Sequence, residues 1–173
     1  MADMPATSMR TSPLTWGLGG LFVLLLAAGA YALVSGNAPM ETAAAVLHPE
    51  DPQLVSMGAH IYTQHCAACH GTRGEGQPDW RERGPDGLMR APPHDESGHT
   101  WHHPDAQLIA ITKHGLAQMI QQPDYQTHMP VYDGVLNDSE IVAVLSWIKA
   151  QWPQEIQARH DQINAQHRNS SGR

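Results

Sequence analysis

Cys66 and Cys69 are the only two cysteines of the 173-residue chain, and His70 follows the second of them directly. This C-x-x-C-H spacing is the pattern for covalent haem attachment. Each thiol can add across one vinyl group of the porphyrin to form a thioether, and the short spacing brings the His70 imidazole under the ring, where it can bind the iron. The motif therefore predicts one covalently bound haem c, held by Cys66, Cys69 and His70.

Two closely spaced cysteines can also serve in three other ways. A structural zinc site needs four ligands, and no further cysteine exists to complete a second ligand pair. A thioredoxin-type dithiol follows a strand in a βαβ unit, whereas the flanking residues here are predicted to be helix and loop. A disulfide across two intervening residues closes a loop too small to stabilise the chain much. The haem interpretation is favoured over all three.

An iron that passes electrons without binding a substrate needs a sixth ligand, and methionine opposite histidine raises its reduction potential. Met89, Met119 and Met129 follow the haem motif. Met129 is the predicted ligand, because Pro130 stiffens its loop and a thioether is a soft ligand for iron. Met89 and Met119 are predicted to fill gaps in the core. The alternative ligand is His128, which would give a bis-histidine site.

Three histidines beyond the haem motif, His99, His102 and His103, could form a second metal site for copper or zinc. No carboxylate or cysteine stands at a regular ligand spacing from them. In the alternative interpretation His103 caps the following helix, while Trp101 packs near the haem or hydrogen-bonds a propionate. The other histidines of this part of the chain are interpreted as surface or interhelical polar groups: His94, His114, His160 and His167.

The segment from Leu14 to Val34 contains no charged residue. A run of about 20 apolar residues crosses the hydrocarbon core of a bilayer, and Trp16 and Tyr31 stand near the two ends, where aromatic belts are expected. Arg10 precedes the run and the next basic residue is far beyond it, which predicts an N-terminus inside and an exported C-terminal part.

A cleaved signal peptide is the alternative, since Ala30-Tyr31-Ala32 provides a small-x-small cleavage site. The apolar run is longer than the usual core of a signal peptide, so an uncleaved anchor is favoured. Both interpretations deliver the haem motif to the periplasm or extracytoplasmic face of the cytoplasmic membrane.

The chain is predicted to have four parts. Residues 1–35 form a cytoplasmic stub and membrane anchor, 36–51 a linker, 52–153 the haem domain, and 154–173 a polar, partly helical tail whose last residues, 169–173, are disordered. Residues 1–35 contain one acid and one base, so the net charge of −7 belongs to the remainder. An acidic exported domain predicts no nucleic-acid partner.

Helices are predicted over three segments of the haem domain: 53–65, 104–114 and 138–151. Loops rich in glycine and proline occupy 71–98 and 121–136. Gly58 within the first helix predicts a close approach to another backbone, and Tyr62 lies one turn later on the same face. Asn137 and Glu140 have the spacing of a capping box at the start of the last helix.

Taken together, these features resemble a class I c-type cytochrome. The residues that carry the resemblance are Gly58, Tyr62, Cys66, Cys69, His70, Met129, Pro130 and the closing segment 144–149. It implies an all-α class I cytochrome c fold of about three to four helices around one low-spin haem, with His and Met on the iron. It also implies that the first helix crosses the last at Val144 and Trp147, and that a proline carbonyl, of Pro92 or Pro93, orients the axial histidine.

The function predicted from this resemblance is one-electron transfer by a membrane-tethered monohaem carrier, not an enzyme. Its redox partners would be extracytoplasmic proteins of the quinol–cytochrome c reductase, dehydrogenase or terminal-oxidase type. One alternative is a permanent subunit of a membrane dehydrogenase or terminal oxidase. A haem enzyme or gas sensor would instead require an open iron position.

Overall fold

In the computed structural model the described residues are 46–172, and they form six α-helices and one short 3-10 helix. These are α1 (Pro52–His65), α2 (Ala67–His70), the 3-10 helix Thr100–His102, α3 (Asp105–His114), α4 (Leu116–Met119), α5 (Asp138–Ala150) and α6 (Gln154–Ser171). This part of the chain contains no β-strand, only an isolated antiparallel bridge between Arg83 and Met89. The predicted all-α fold and its three main helices are confirmed.

The two long helices of the core begin where side chains satisfy their free backbone N–H groups. The Asp51 carboxylate accepts hydrogen bonds from the amides of Gln53 and Leu54, at 2.9 and 3.2 Å. At the start of α5 the predicted capping box is present. The Asn137 side chain accepts from the Glu140 amide, and the Glu140 carboxylate accepts from the Asn137 amide.

Helices α1 and α5 cross at Gly58. A Cβ atom built on this glycine would lie 2.1 Å from the carbonyl oxygen of Ala143 and 2.8 Å from the Cβ of Trp147. One turn later the rings of Tyr62 and Trp147 are 4.3 Å apart. The predicted close crossing of the first and last helices of the haem domain is therefore confirmed, with Ala143 at the point of contact beside the buried Val144.

The buried core lies mainly between these two helices. Its apolar members on α1 and α5 are Ile61, Tyr62, Ile141, Ala143, Val144, Leu145 and Ile148. Leu47 also belongs to the core, although the sequence predicts a linker there. Its amide donates to the Asp105 carboxylate at 3.0 Å, and the His48 amide donates to the Ser146 hydroxyl at 2.9 Å. The segment just before α1 is thus anchored to the domain.

The buried residues of helix α6 are polar, and Ile156 adds an apolar contact with the core. His160 is fully buried and its Nε2 donates to the carbonyl oxygen of His103 at 3.0 Å. The amide side chain of Asn164 donates to the Asp105 carboxylate at 3.0 Å and accepts from the Asp105 backbone amide at 2.8 Å. The helix continues to Ser171, so the disorder predicted for the end of the chain is wrong for residues 169–171.

None of the helices in residues 46–172 is long and apolar enough to cross a membrane. The anchor predicted over 14–34 lies outside the described residues.

Replacing Gly58 by alanine is expected to destabilise the domain. Alanine would favour an isolated helix by about 1 kcal/mol, but its methyl group would meet the Ala143 carbonyl, and overpacking of this kind costs about 1–3 kcal/mol. Denaturant unfolding of the haem-loaded protein measures the change. Ser56→Ala, at an exposed position of the same helix, is the control and should stay within about 0.5 kcal/mol of the wild type. A Gly58→Ala variant as stable as this control would contradict the crossing.

Candidate haem site

The attachment motif folds as a single helical turn directly after α1. The amides of Cys69 and His70 both donate to the carbonyl oxygen of Cys66, at 3.1 and 2.9 Å. Positions i, i+3 and i+4 of a helix share one face, so Cys66, Cys69 and His70 lie side by side. Both thiols are free, and a helix rather than a strand precedes them. The arrangement is not that of a disulfide or of a thioredoxin-type dithiol.

The His70 imidazole is buried and oriented by one hydrogen bond, from Nδ1 to the carbonyl oxygen of Pro92 at 2.8 Å. A carbonyl can only accept, so Nδ1 carries the proton and Nε2 of the neutral ring keeps a lone pair. Burial lowers the pKa of His70, although the bond to Pro92 acts in the opposite direction. The proline carbonyl expected from the resemblance is that of Pro92, not Pro93.

Backbone contacts hold Pro92 in place beneath the imidazole. Gly76 has a positive φ of 71°, and a Cβ atom on it would lie 2.5 Å from the nitrogen of Pro93. Only glycine allows the two segments to come so close. The Gly74 carbonyl accepts from the amide of His94 at 2.7 Å. The glycines of the predicted loop therefore position the carbonyl that orients His70.

The environment of the thiols fits thioether formation with a haem. Burial raises the pKa of Cys66 to about 11, and the neighbouring Cys69 adds to the rise. Cys66 is therefore a neutral thiol at physiological pH. Two free thiols on one helical face, next to an imidazole with an available Nε2, are the donor set that haem c requires.

Met129 is half-buried, and its amide donates to the Thr127 hydroxyl at 3.1 Å. Its neighbour His128 is exposed and pairs through Nε2 with the Asp86 carboxylate at 2.6 Å. His128 thus already has a partner on a different loop. The other methionines considered, Met89 and Met119, are also half-buried, the first as a member of the isolated bridge and the second at the end of α4.

Tyr132 connects the Met129 loop to the attachment turn. Its hydroxyl donates to the carbonyl oxygen of His65 at 2.7 Å, and its amide donates to the carbonyl of Thr112 at 3.2 Å. Burial raises the pKa of Tyr132, and the nearby thiols Cys66 and Cys69 contribute. The sequence alone predicts no role for Tyr132. The signal that could have pointed to it is an aromatic residue two positions after Pro130.

The three histidines considered for a second metal site are used in aromatic contacts. His99 stacks on Trp80 with ring centres 5.3 Å apart, and His102 stacks on Trp101 at 3.6 Å. Within residues 46–172 no three His, Cys, Asp or Glu side chains converge on a possible metal position. The second metal site is therefore not supported.

The alternative roles of this histidine segment are corrected as well. Helix α3 begins after Pro104 with no side-chain cap, so the capping role expected for His103 is wrong. The indole N–H of Trp101 donates to the carbonyl oxygen of Glu96 at 3.3 Å, so the expected hydrogen bond to a propionate is not supported, while the packing of Trp101 near the haem stays a prediction. His94 also differs from expectation, because it is half-buried and its ring lies against that of His70.

Replacing Tyr132 by phenylalanine is expected to lower the free energy of unfolding by about 1 kcal/mol, because the partly buried hydrogen bond to the His65 carbonyl loses its donor. The ring and its packing are kept. Denaturant unfolding of the haem-loaded protein measures the loss. Tyr125→Phe removes a hydroxyl outside the buried core and is the matched control. Equal stabilities of the two variants would show that the hydroxyl of Tyr132 contributes nothing to holding the loop.

A comparison with protein families gave a match over residues 55–152, more than half of the chain, to the model described as Cytochrome c. Comparison with curated proteins and with solved structures gave no significant match. The matched range includes the attachment turn, the loops around it, most of α1 and all of α5. The chain therefore belongs to the cytochrome c family, as a class I c-type cytochrome that carries covalently bound haem c and its iron.

Proposed function

We propose that this cytochrome carries single electrons outside the cytoplasmic membrane, with haem bound through Cys66 and Cys69 and the iron held by His70 and Met129. Bound haem supplies the one-electron chemistry, since its iron changes between the ferric and ferrous states. The observation that carries the proposal is the hydrogen bond from His70 to Pro92, because it prepares Nε2 as a ligand on the same helical face as two free thiols.

Ligation by Met129 rests on the anchoring of its loop. Tyr132, three residues later, is hydrogen-bonded to the carbonyl of His65, immediately before the attachment turn. The competing ligand, His128, is paired with Asp86. The loop is thus hydrogen-bonded next to the attachment turn, and its histidine is paired with a carboxylate. Both contacts favour Met129 as the sixth ligand. With both axial positions occupied by side chains, the iron would transfer electrons rather than bind a substrate.

The membrane tether is proposed from the sequence. The segment from Leu14 to Val34 has the length and composition of a spanning helix, and Arg10 on its N-terminal side favours export of the haem domain. The domain would then act in the periplasm or at the extracytoplasmic face, within diffusion distance of membrane-bound redox proteins.

The chain has a net charge of −7. This charge favours redox partners with basic docking surfaces, in brief contacts steered by electrostatic attraction. Partners of the quinol–cytochrome c reductase, dehydrogenase or terminal-oxidase type would supply or accept the electron. The second candidate function is that of a permanent subunit of such a complex. Extraction in mild detergent separates the two, since a permanent subunit would copurify with its complex in fixed proportion.

Alanine replacement of the cysteines tests the attachment. Cys66→Ala and Cys69→Ala are each expected to leave haem bound through one thioether, and the double variant is expected to release all pigment into acid acetone. Ala68→Ser, which leaves both thiols intact, is the control and should retain its pigment. Pigment that stays with the protein in the double variant would disprove attachment at these two residues.

Met129→Ala is expected to open the sixth position of the iron. The weak far-red absorption band that marks a methionine sulfur on ferric haem should disappear, and the reduced protein should bind carbon monoxide without denaturant. Met89→Ala and Met119→Ala are matched controls and should keep the band and exclude carbon monoxide. If Met129→Ala keeps the band and one of the controls loses it, the sixth ligand is the methionine replaced in that control.

A further inference from the structure

His94 lies directly against the proposed proximal ligand. Its ring is nearly parallel to that of His70, with centres 3.9 Å apart and planes inclined by 24°. At this separation the two rings are in van der Waals contact. Neither the attachment motif nor the ligation of the iron requires an imidazole at this position.

The position of His94 is fixed from three sides. Its amide donates to the carbonyl of Gly74 at 2.7 Å, and its carbonyl accepts from the indole N–H of the buried Trp152 at 2.7 Å. Its side-chain Nδ1 lies 2.9 Å from the hydroxyl oxygen of Thr100, itself a buried residue. With its backbone and its ring both held, His94 forms a rigid surface beside His70.

The hydrogen bond to Pro92 and the contact with His94 constrain different motions of the His70 ring. The bond fixes the direction of Nδ1, but hydrogen bonds to a carbonyl tolerate a broad range of tilt. A ring in face-to-face contact blocks that tilt on one side. The two constraints together define the plane of the imidazole as well as its direction.

We propose that His94 is a positioning residue that sets the plane of the His70 imidazole and thereby the electronic structure of the haem iron. The inference rests on the proposed ligation of iron by His70. The orientation of an axial imidazole decides how the unpaired electron of low-spin ferric iron is distributed over the porphyrin. Residues that orient a ligating histidine tune its metal in this way.

Two substitutions test the inference in the haem-loaded, full-length protein. His94→Leu removes the ring that contacts His70. Thr100→Val keeps both rings and removes the hydroxyl that holds His94, together with the weak 3.4 Å hydrogen bond from that hydroxyl to the carbonyl of Pro93. Proton NMR of the ferric state reads the plane of the imidazole through the order and spread of the haem methyl resonances, and electron paramagnetic resonance reads it through the g values.

His94→Leu is expected to change the order of the methyl resonances and the g anisotropy, and Thr100→Val to shift both in the same direction by a smaller amount. Thr112→Val is the matched control, because it also removes a buried threonine hydroxyl, one that donates to the carbonyl of Leu108. It should lower stability while leaving the spectra unchanged. A general loss of stability would affect this control as much as Thr100→Val.

A low-spin wild-type spectrum that is unchanged in both His94→Leu and Thr100→Val would overturn the role of His94 and leave the proposed ligation intact. If His94→Leu does not fold, Thr100→Val alone decides, because it retains both rings. A wild-type protein without a low-spin signal would overturn the ligation by His70, and the role of His94 with it.

Discussion

The crossing of α1 and α5 is the constraint on which the haem site depends. The two helices come from opposite ends of the domain, and they can touch because Gly58 presents no side chain to the Ala143 carbonyl. The same contact places Tyr62 against Trp147, and the Tyr62 hydroxyl donates to the carbonyl of Gly71 at 2.9 Å. Gly71 ends the attachment turn, so the position of the turn follows from the helix crossing.

The loops complete the site by backbone hydrogen bonds and ring contacts rather than by regular structure. The loop from 77 to 91 is closed at its base, where the amide of Gln77 donates to the carbonyl of Ala91 at 2.9 Å. Because the base of the loop is closed, the residues between can form a long loop while Pro92 remains in contact with His70. His70 is thus held by a segment that is distant from it in sequence and adjacent to it in space.

Much of the fold could be predicted because its signals are local. The capping box of Asn137 and Glu140 marks the start of α5, and the C-x-x-C-H motif needs only a single helical turn. The choice between Pro92 and Pro93 could not be made, because it depends on where a long loop closes. His94 was assigned to surface or interhelical positions because an isolated polar residue carries no signal of burial. The same limit applies to Asn164, whose hydrogen-bond partner Asp105 belongs to another helix.

The polar packing of α6 makes the C-terminal helix sensitive to acid. Nδ1 of His160 lies 3.5 Å from the Asn164 amide nitrogen, which can only donate, so the buried imidazole is neutral. Burial lowers the pKa of His160, although the Asp105 carboxylate opposes this. The unfolded chain takes up this proton near the ordinary value of about 6.5, while the folded chain resists it to lower pH. The stability contributed by the neutral ring is therefore complete above that value and declines as the solution is acidified. At acidic pH, α6 would therefore detach more readily from the haem domain than at neutral pH.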